Sequence, residues 1–151
     1  MTAIAHTLMS LPFGLYLESP VIIFLTALVF HLFADTLLHW NIFPFQFKRY
    51  FHLLALIDVT TAFGLSWLIL GSDIWSIAVW AAIIGGNIAD AGSVLWETAK
   101  PRLQDKLAWA RPAFHVHTML QLETVSLSRG LIWQAVLVAI SLASVWFYYN
   151  N

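Results

Sequence analysis

Hydrophobic and polar residues follow one another along this chain in long blocks, not with the short periods of a soluble fold. Four apolar runs, at about 20–40, 50–70, 74–98 and 130–149, each reach the roughly 20 residues that a helix needs to cross the hydrocarbon core of a bilayer. Ser19-Pro20 supplies an N-cap and a first-turn residue for the first run. Gly71-Ser72-Asp73 stops the second, Lys100-Pro101 stops the third, and Gly130 or Leu131 opens the fourth. Runs of this length are predicted as helices, because lipid offers no partner for the edge of an open strand. Residues 1–19 have no basic flank and are interrupted at Pro12 and Gly14. They are expected to lie at the membrane surface and not to act as a cleavable signal.

The charges fix an orientation on this pattern. All seven Lys and Arg residues fall in two gaps, Lys48 and Arg49 in 41–49 and Lys100, Arg102, Lys106, Arg111 and Arg129 in 99–129. Alternating spans put both gaps on one side, which the positive-inside rule makes cytoplasmic, with both termini outside. The aromatic residues agree, with Trp40, Phe43, Phe45, Phe47, Tyr50, Trp96 and Trp133 at the inner interface and Tyr16, Trp75, Trp146, Tyr148 and Tyr149 at the outer one. Within the second gap, 101–112 places Leu103, Leu107 and Ala110 on one stripe and Arg102, Lys106 and Arg111 elsewhere, the pattern of a basic amphipathic helix on the inner leaflet. No breaker stands between Pro112 and Gly130, so 113–129 can extend the last span toward the cytoplasm.

The predicted fold is therefore all-α, a polytopic transmembrane four-helix bundle with an additional cytoplasmic amphipathic helix, formed by residues 1–151 as one domain. Composition supports this reading, with 60% hydrophobic and 10% charged residues. The chain has no Cys, which excludes disulfides and thiolate chemistry, and its net charge of -1 and lack of a basic domain argue against nucleic acid as a partner. Membrane lipids are the expected partners, with a homo-oligomer or a membrane partner left open.

Acidic and imidazole side chains then change the picture. His31, Asp35 and His39 follow i, i+4, i+8 spacing on the first span. Asp58 lies in the second, and Asn87, Asp90, Ser93 and Glu97 form a polar stripe in the inner half of the third. His115, His117, Gln121 and Glu123 follow in the cytoplasmic loop. Ionisable residues at such depth cost a few kcal/mol each and are normally kept for function. Hydrogen bonding between helices is the competing role, and it suffices for the scattered Ser and Thr residues. The acids have no Lys or Arg within any span. Protonation, a snorkelling Lys48 or Arg49, imidazolium or a bound metal must balance them. Imidazole and carboxylate donors together suit Zn, Mn or Fe.

We therefore expect a metal-dependent membrane enzyme of the hydrolase type, acting on a lipid-like or amphipathic substrate at the cytoplasmic leaflet. His31, Asp35, His39 and Asp90 are the candidate ligands for one or two ions, completed by His115 or His117. Glu97, Asp58 and Glu123 are the candidate catalytic proton acceptors. Asn87, Arg102 and Lys106 are the candidates for substrate binding, the basic pair toward anionic headgroups. A proton or divalent-cation carrier or channel subunit using the same Asp/His cluster is the alternative. A non-catalytic assembly subunit, with haem on a pair such as His39 and His52, is a third.

The stretch FHLFADTLLHW, with Lys48 after it and Phe51-His52-Leu53-Leu54 opening the next span, resembles the start of a family of small uncharacterised prokaryotic integral membrane proteins with a His-x-x-Ala-Asp motif. His31, Ala34, Asp35, Lys48 and His52 fit that pattern, while His39 stands where the family has Gln. The resemblance covers residues 30–54 and implies a prokaryotic cytoplasmic membrane. The chain is also, more loosely, similar to membrane-bound metal-dependent hydrolase-like proteins.

Overall fold

The apolar runs fold as helices in the computed structural model, which describes residues 1–42, 47 and 49–151, with the side chain of Glu97 outside the description. Phe43, Phe45 and Lys48, which the sequence places at the inner interface, lie outside the described residues. Seven α-helices make up the described part: α1 (Ala3–Tyr16), α2 (Pro20–Asp35), α3 (Phe51–Leu70), α4 (Ile77–Thr98), α5 (Pro101–Lys106), α6 (Arg111–Leu120) and α7 (Leu127–Asn150). Three segments are long and apolar enough to cross a membrane, Phe51–Trp75, Ile77–Trp96 and Leu127–Asn150. The fourth apolar helix, α2, is shorter at 16 residues.

The main departure from expectation is α1. Instead of lying at a surface it sits in the centre of the bundle, packed against α2, α3, α4 and α7. Its residues from Ala5 to Leu11 are all buried. Apolar area alone does not drive helices together in lipid, where close contact and hydrogen bonding decide. The two consecutive glycines of α4 supply that contact. A Cβ on Gly86 would lie 3.0 Å from the Ser10 Cβ and 3.1 Å from the His6 carbonyl oxygen of α1, and one on Gly85 would overlap the Phe24 carbonyl of α2. One pair of glycines thus brings two neighbouring helices onto the α4 backbone.

The N-terminus of α1 is buried, so its unpaired N–H groups need acceptors. Asp58 of α3 provides two, taking hydrogen bonds from the Ala3 N–H at 2.7 Å and the Ile4 N–H at 3.1 Å. The Thr2 hydroxyl accepts from the Ala5 N–H. At the far end the Tyr16 hydroxyl donates to the Ser144 carbonyl of α7. Beyond the polar region, Leu8, Leu11, Leu70, Ile74, Val79 and Val145 form an apolar core around α1.

Helix α2 ends at Asp35, short of the expected position 40. The chain from 36 to 40 leaves the helix because it pairs with the segment after α6. The Leu122 N–H donates to the Asp35 carbonyl, the His39 N–H to the Leu122 carbonyl and the Thr124 N–H to the His39 carbonyl, at 2.9, 3.0 and 2.9 Å. This pairing includes an isolated parallel bridge between His39 and Glu123. The cytoplasmic amphipathic helix expected at 101–112 is divided, with α5 ending at Lys106 and α6 starting at Arg111 after a short 3-10 turn. α7 begins at Leu127, and 121–126 separate it from α6.

Candidate metal centre

Five elements deliver side chains to one point. His6 comes from α1, His31 and Asp35 from one face of α2, Asp90 from α4, His117 from α6, and His39 with Glu123 from the paired segments. His6, His31, Asp35 and His39 are all at most 2% exposed. Asp35 is the hub. Its Oδ1 lies 3.0 Å from the Met1 amine, 3.2 Å from His6 Nε2 and 3.6 Å from His39 Nε2. Its Oδ2 lies 3.3 Å from both His31 Nε2 and His117 Nε2. Asp90 approaches His6 and His117 at 3.3 Å each and His31 at 3.9 Å. Among the described residues no Lys or Arg forms an ion pair with either aspartate.

Proton positions follow from the outer hydrogen bonds. His31 Nδ1 lies 2.9 Å from the Gly86 carbonyl and His39 Nδ1 lies 2.8 Å from the Leu37 carbonyl. A carbonyl only accepts, so each Nδ1 carries the proton, and in the neutral form of either ring a bare Nε2 lone pair faces inward. Those lone pairs meet carboxylate oxygens, and that of His31 also lies 3.1 Å from His117 Nε2, which donates when the His117 ring is protonated. Lone pairs facing acceptors repel unless a cation stands between them. His39 Nε2 and both ring nitrogens of His6 have no hydrogen-bond partner, although they are buried. Anchoring Nδ1 on a carbonyl while Nε2 points inward is the outer-shell arrangement of metal-ligating histidines.

His117 is tied in differently. Its Nδ1 lies 2.8 Å from the Ser93 hydroxyl, and Gln121 donates to the Asp90 carboxylate at 3.3 Å. Burial pushes the His117 imidazole down, but its hydrogen bonds to Asp35 and Asp90 outweigh this and raise it to about 9. In the absence of an ion this ring carries a positive charge between the two aspartates.

One ligand atom from each of His6, His31, Asp35 and Asp90 lies within 4.8 Å of the others, so this group can hold a metal ion. The separations support that. A tetrahedral ion with ligands at about 2.1 Å spaces neighbouring donors by about 3.4 Å, and the His–Asp distances here run from 3.2 to 3.9 Å.

The remaining candidates are distributed more widely. Asp58 is engaged by the α1 backbone, as described. Glu123 accepts from Asn41 Nδ2 at 2.9 Å and stands 4.0 Å from His39 Nε2. Asn87 donates to the Thr7 hydroxyl and the Ile83 carbonyl. His115 is exposed on α6, and Arg102 and Lys106 are exposed on α5. The Glu97 side chain lies outside the described residues. His6 is the member that sequence reasoning missed, because it belongs to a segment too short to span and was assigned to the surface.

A cleft of about 720 Å³ lies between α3 and α4 and reaches the centre at Asp90. Phe51, Val59 and Val94 line its apolar part, and Asn87, Gln121 and Glu123 its polar part. In comparison with known proteins, no family model, no curated protein and no solved structure matches this chain.

Proposed function

We propose that the chain is an integral membrane, metal-dependent hydrolase acting on a lipid-like substrate. The observation that carries this reading is the inward convergence of imidazole Nε2 atoms on Asp35, with His31 and His39 each fixed by a carbonyl at the far ring nitrogen. His6, His31, Asp35 and Asp90 would supply ligands to the metal, and Zn, Mn and Fe all suit this nitrogen and oxygen set. A bound ion of this kind brings the pKa of water toward neutrality and polarises an ester, amide or phosphoryl oxygen.

The protein's own residues supply the rest. Glu123, 29% exposed at its side chain and bordering the cleft, accepts the proton released during attack. Asp58 does not take that role, since both its oxygens already accept backbone N–H groups. The cleft between α3 and α4 admits an acyl chain sideways from lipid, and its volume lies within the usual range of ligand sites. We place four spans, α2, α3, α4 and α7, across the membrane, with α5, α6 and the centre on the cytoplasmic side, because six of the seven Lys and Arg fall in the gaps at that end and Arg129 falls in the first turn of α7. The apolar core around α1 lies beyond the cluster, an arrangement suited to a closed site more than to a conduit.

Metal analysis of detergent-purified protein, paired with a hydrolysis assay on ester, amide and phosphoester amphiphiles, tests the proposal. Wild type should retain stoichiometric metal and release product, Asp35→Ala should lose both, and His31→Ala should lose product release and at least one ion, each variant remaining monodisperse. Metal-free wild type, or metal-loaded protein that cleaves none of the three bond classes, would overturn it.

A further inference from the structure

We infer that the centre is dinuclear, with Asp35 and Asp90 each bridging two ions. This inference rests on the metal-dependent reading above and specifies its ligands. The argument comes from which oxygen each imidazole approaches. His31 and His117 both face Asp35 Oδ2 and Asp90 Oδ1. His6 faces the opposite oxygens, Asp35 Oδ1 at 3.2 Å and Asp90 Oδ2 at 3.3 Å. His39 also approaches Oδ1 of Asp35. Each carboxylate is therefore shared between two sets of imidazoles, one oxygen to each set.

The first set has the spacing of a coordination shell. His31 and His117 Nε2 lie 3.1 Å apart, both lie 3.3 Å from Asp35 Oδ2, and Asp90 Oδ1 lies 3.3 Å from His117 and 3.9 Å from His31. Two nitrogens and two oxygens at these separations surround one position, near the tetrahedral spacing of about 3.4 Å. The second set is His6 and His39 with the other two oxygens, of which Asp35 Oδ1 also accepts from the Met1 amine at 3.0 Å. His39 Nε2 is buried and without a hydrogen-bond partner, and its distances of 3.6 Å to Asp35 and 4.0 Å to Glu123 exceed a hydrogen bond. They match donors placed around a common cation. The parallel bridge between His39 and Glu123 fixes both residues on this side.

A second ion also accounts for the number of donors. Four imidazoles and two aspartates exceed what one tetrahedral ion takes up, and a single ion in the first set would leave His6 and His39 orphaned in the interior. With two ions, each has two imidazole nitrogens and two bridging oxygens, and Glu123 stands at the second, next to the cleft.

The test is reconstitution of chelator-stripped full-length protein with MnCl2 alone, read by metal content and by electron paramagnetic resonance. Carboxylate-bridged ions sit about 3.5–4 Å apart, close enough for exchange coupling. Wild type should bind two Mn(II) per chain and give a coupled multiline spectrum. His39→Ala and His117→Ala should each fall from two ions to one and lose the coupling, while His115→Ala, exposed on α6, should keep both. One uncoupled ion per wild-type chain overturns the dinuclear centre and leaves the metal-dependent reading intact. No bound ion overturns both. Because the wild-type count decides, a variant that fails to fold does not rescue the inference.

Discussion

Removing Asp58 should loosen α1, and with it His6, without altering a metal ligand itself. In Asp58→Ala the N–H groups of Ala3 and Ile4 lose a charged acceptor at 2.7 and 3.1 Å. Loss of a helix cap costs about 0.5–2 kcal/mol, and hydrogen bonds to a charged group contribute about 1.5–3 kcal/mol. Taking about 2 kcal/mol for the docking of α1 gives roughly a 30-fold rise in its opening equilibrium. The chain has no Cys, so a single Ser10→Cys on α1 gives a background-free probe. Ser10 is 2% exposed, and its thiol reacts only when α1 leaves its seat. With a permeant maleimide in nanodiscs, and closing faster than labelling, the rate follows the opening equilibrium. Ser10→Cys/Asp58→Ala should label about 30-fold faster than Ser10→Cys. A rise below about fivefold, under about 1 kcal/mol, would refute Asp58 as the anchor of α1.

Other consequences follow from particular contacts. Gly85→Val puts a side chain into the Phe24 carbonyl and Ala27 of α2, overpacking that should cost about 1–3 kcal/mol or more and lower the SDS fraction at which the bundle unfolds. His117 is protonated up to about pH 9, and an ion must displace that proton, so metal affinity should fall by about tenfold per pH unit below 9. Titrations with Mn(II) between pH 6.5 and 8.5 measure the slope, which His117→Ala should reduce. Arg102→Gln/Lys106→Gln changes two exposed residues of α5, and its metal content should equal that of wild type. A loss of metal in this variant would contradict the placement of the centre.

The outline of the fold was legible because length and hydropathy act locally. α3, expected at 50–70, forms at Phe51–Leu70, and α4, expected at 74–98, forms at Ile77–Thr98 after a 3-10 turn through Gly71 to Trp75. Two features escaped because long-range partners decide them. α2 stops at Asp35 because 36–40 find backbone partners at 122–124, more than eighty residues away. α1 looks like a surface segment when its 14 residues are weighed alone. It is held inside by Gly86 and Asp58, which belong to other helices.

The same division runs through the site and explains why His6 was invisible. His31 and Asp35 are joined by a spacing internal to one helix, and the structure places them 3.3 Å apart. The i+8 spacing expects His39 on that same face. It reaches the centre by another route, beyond the end of the helix, through the bridge to Glu123. His115 and His117 are two residues apart on α6, a turn of about 200° at 3.6 residues per turn. Only one can face inward, and the Ser93 hydroxyl and the two aspartates select His117. A signal for His6 did exist at Asp58, an acid inside a span with no basic residue to balance it. A carboxylate in lipid is also satisfied by the free N–H groups at a helix start, and the segment at residues 1–19, expected at the membrane surface, has no place in the expected bundle. Pairing those two loose ends would have carried His6 to the centre, because it sits within the first turns after the N–H groups that Asp58 accepts.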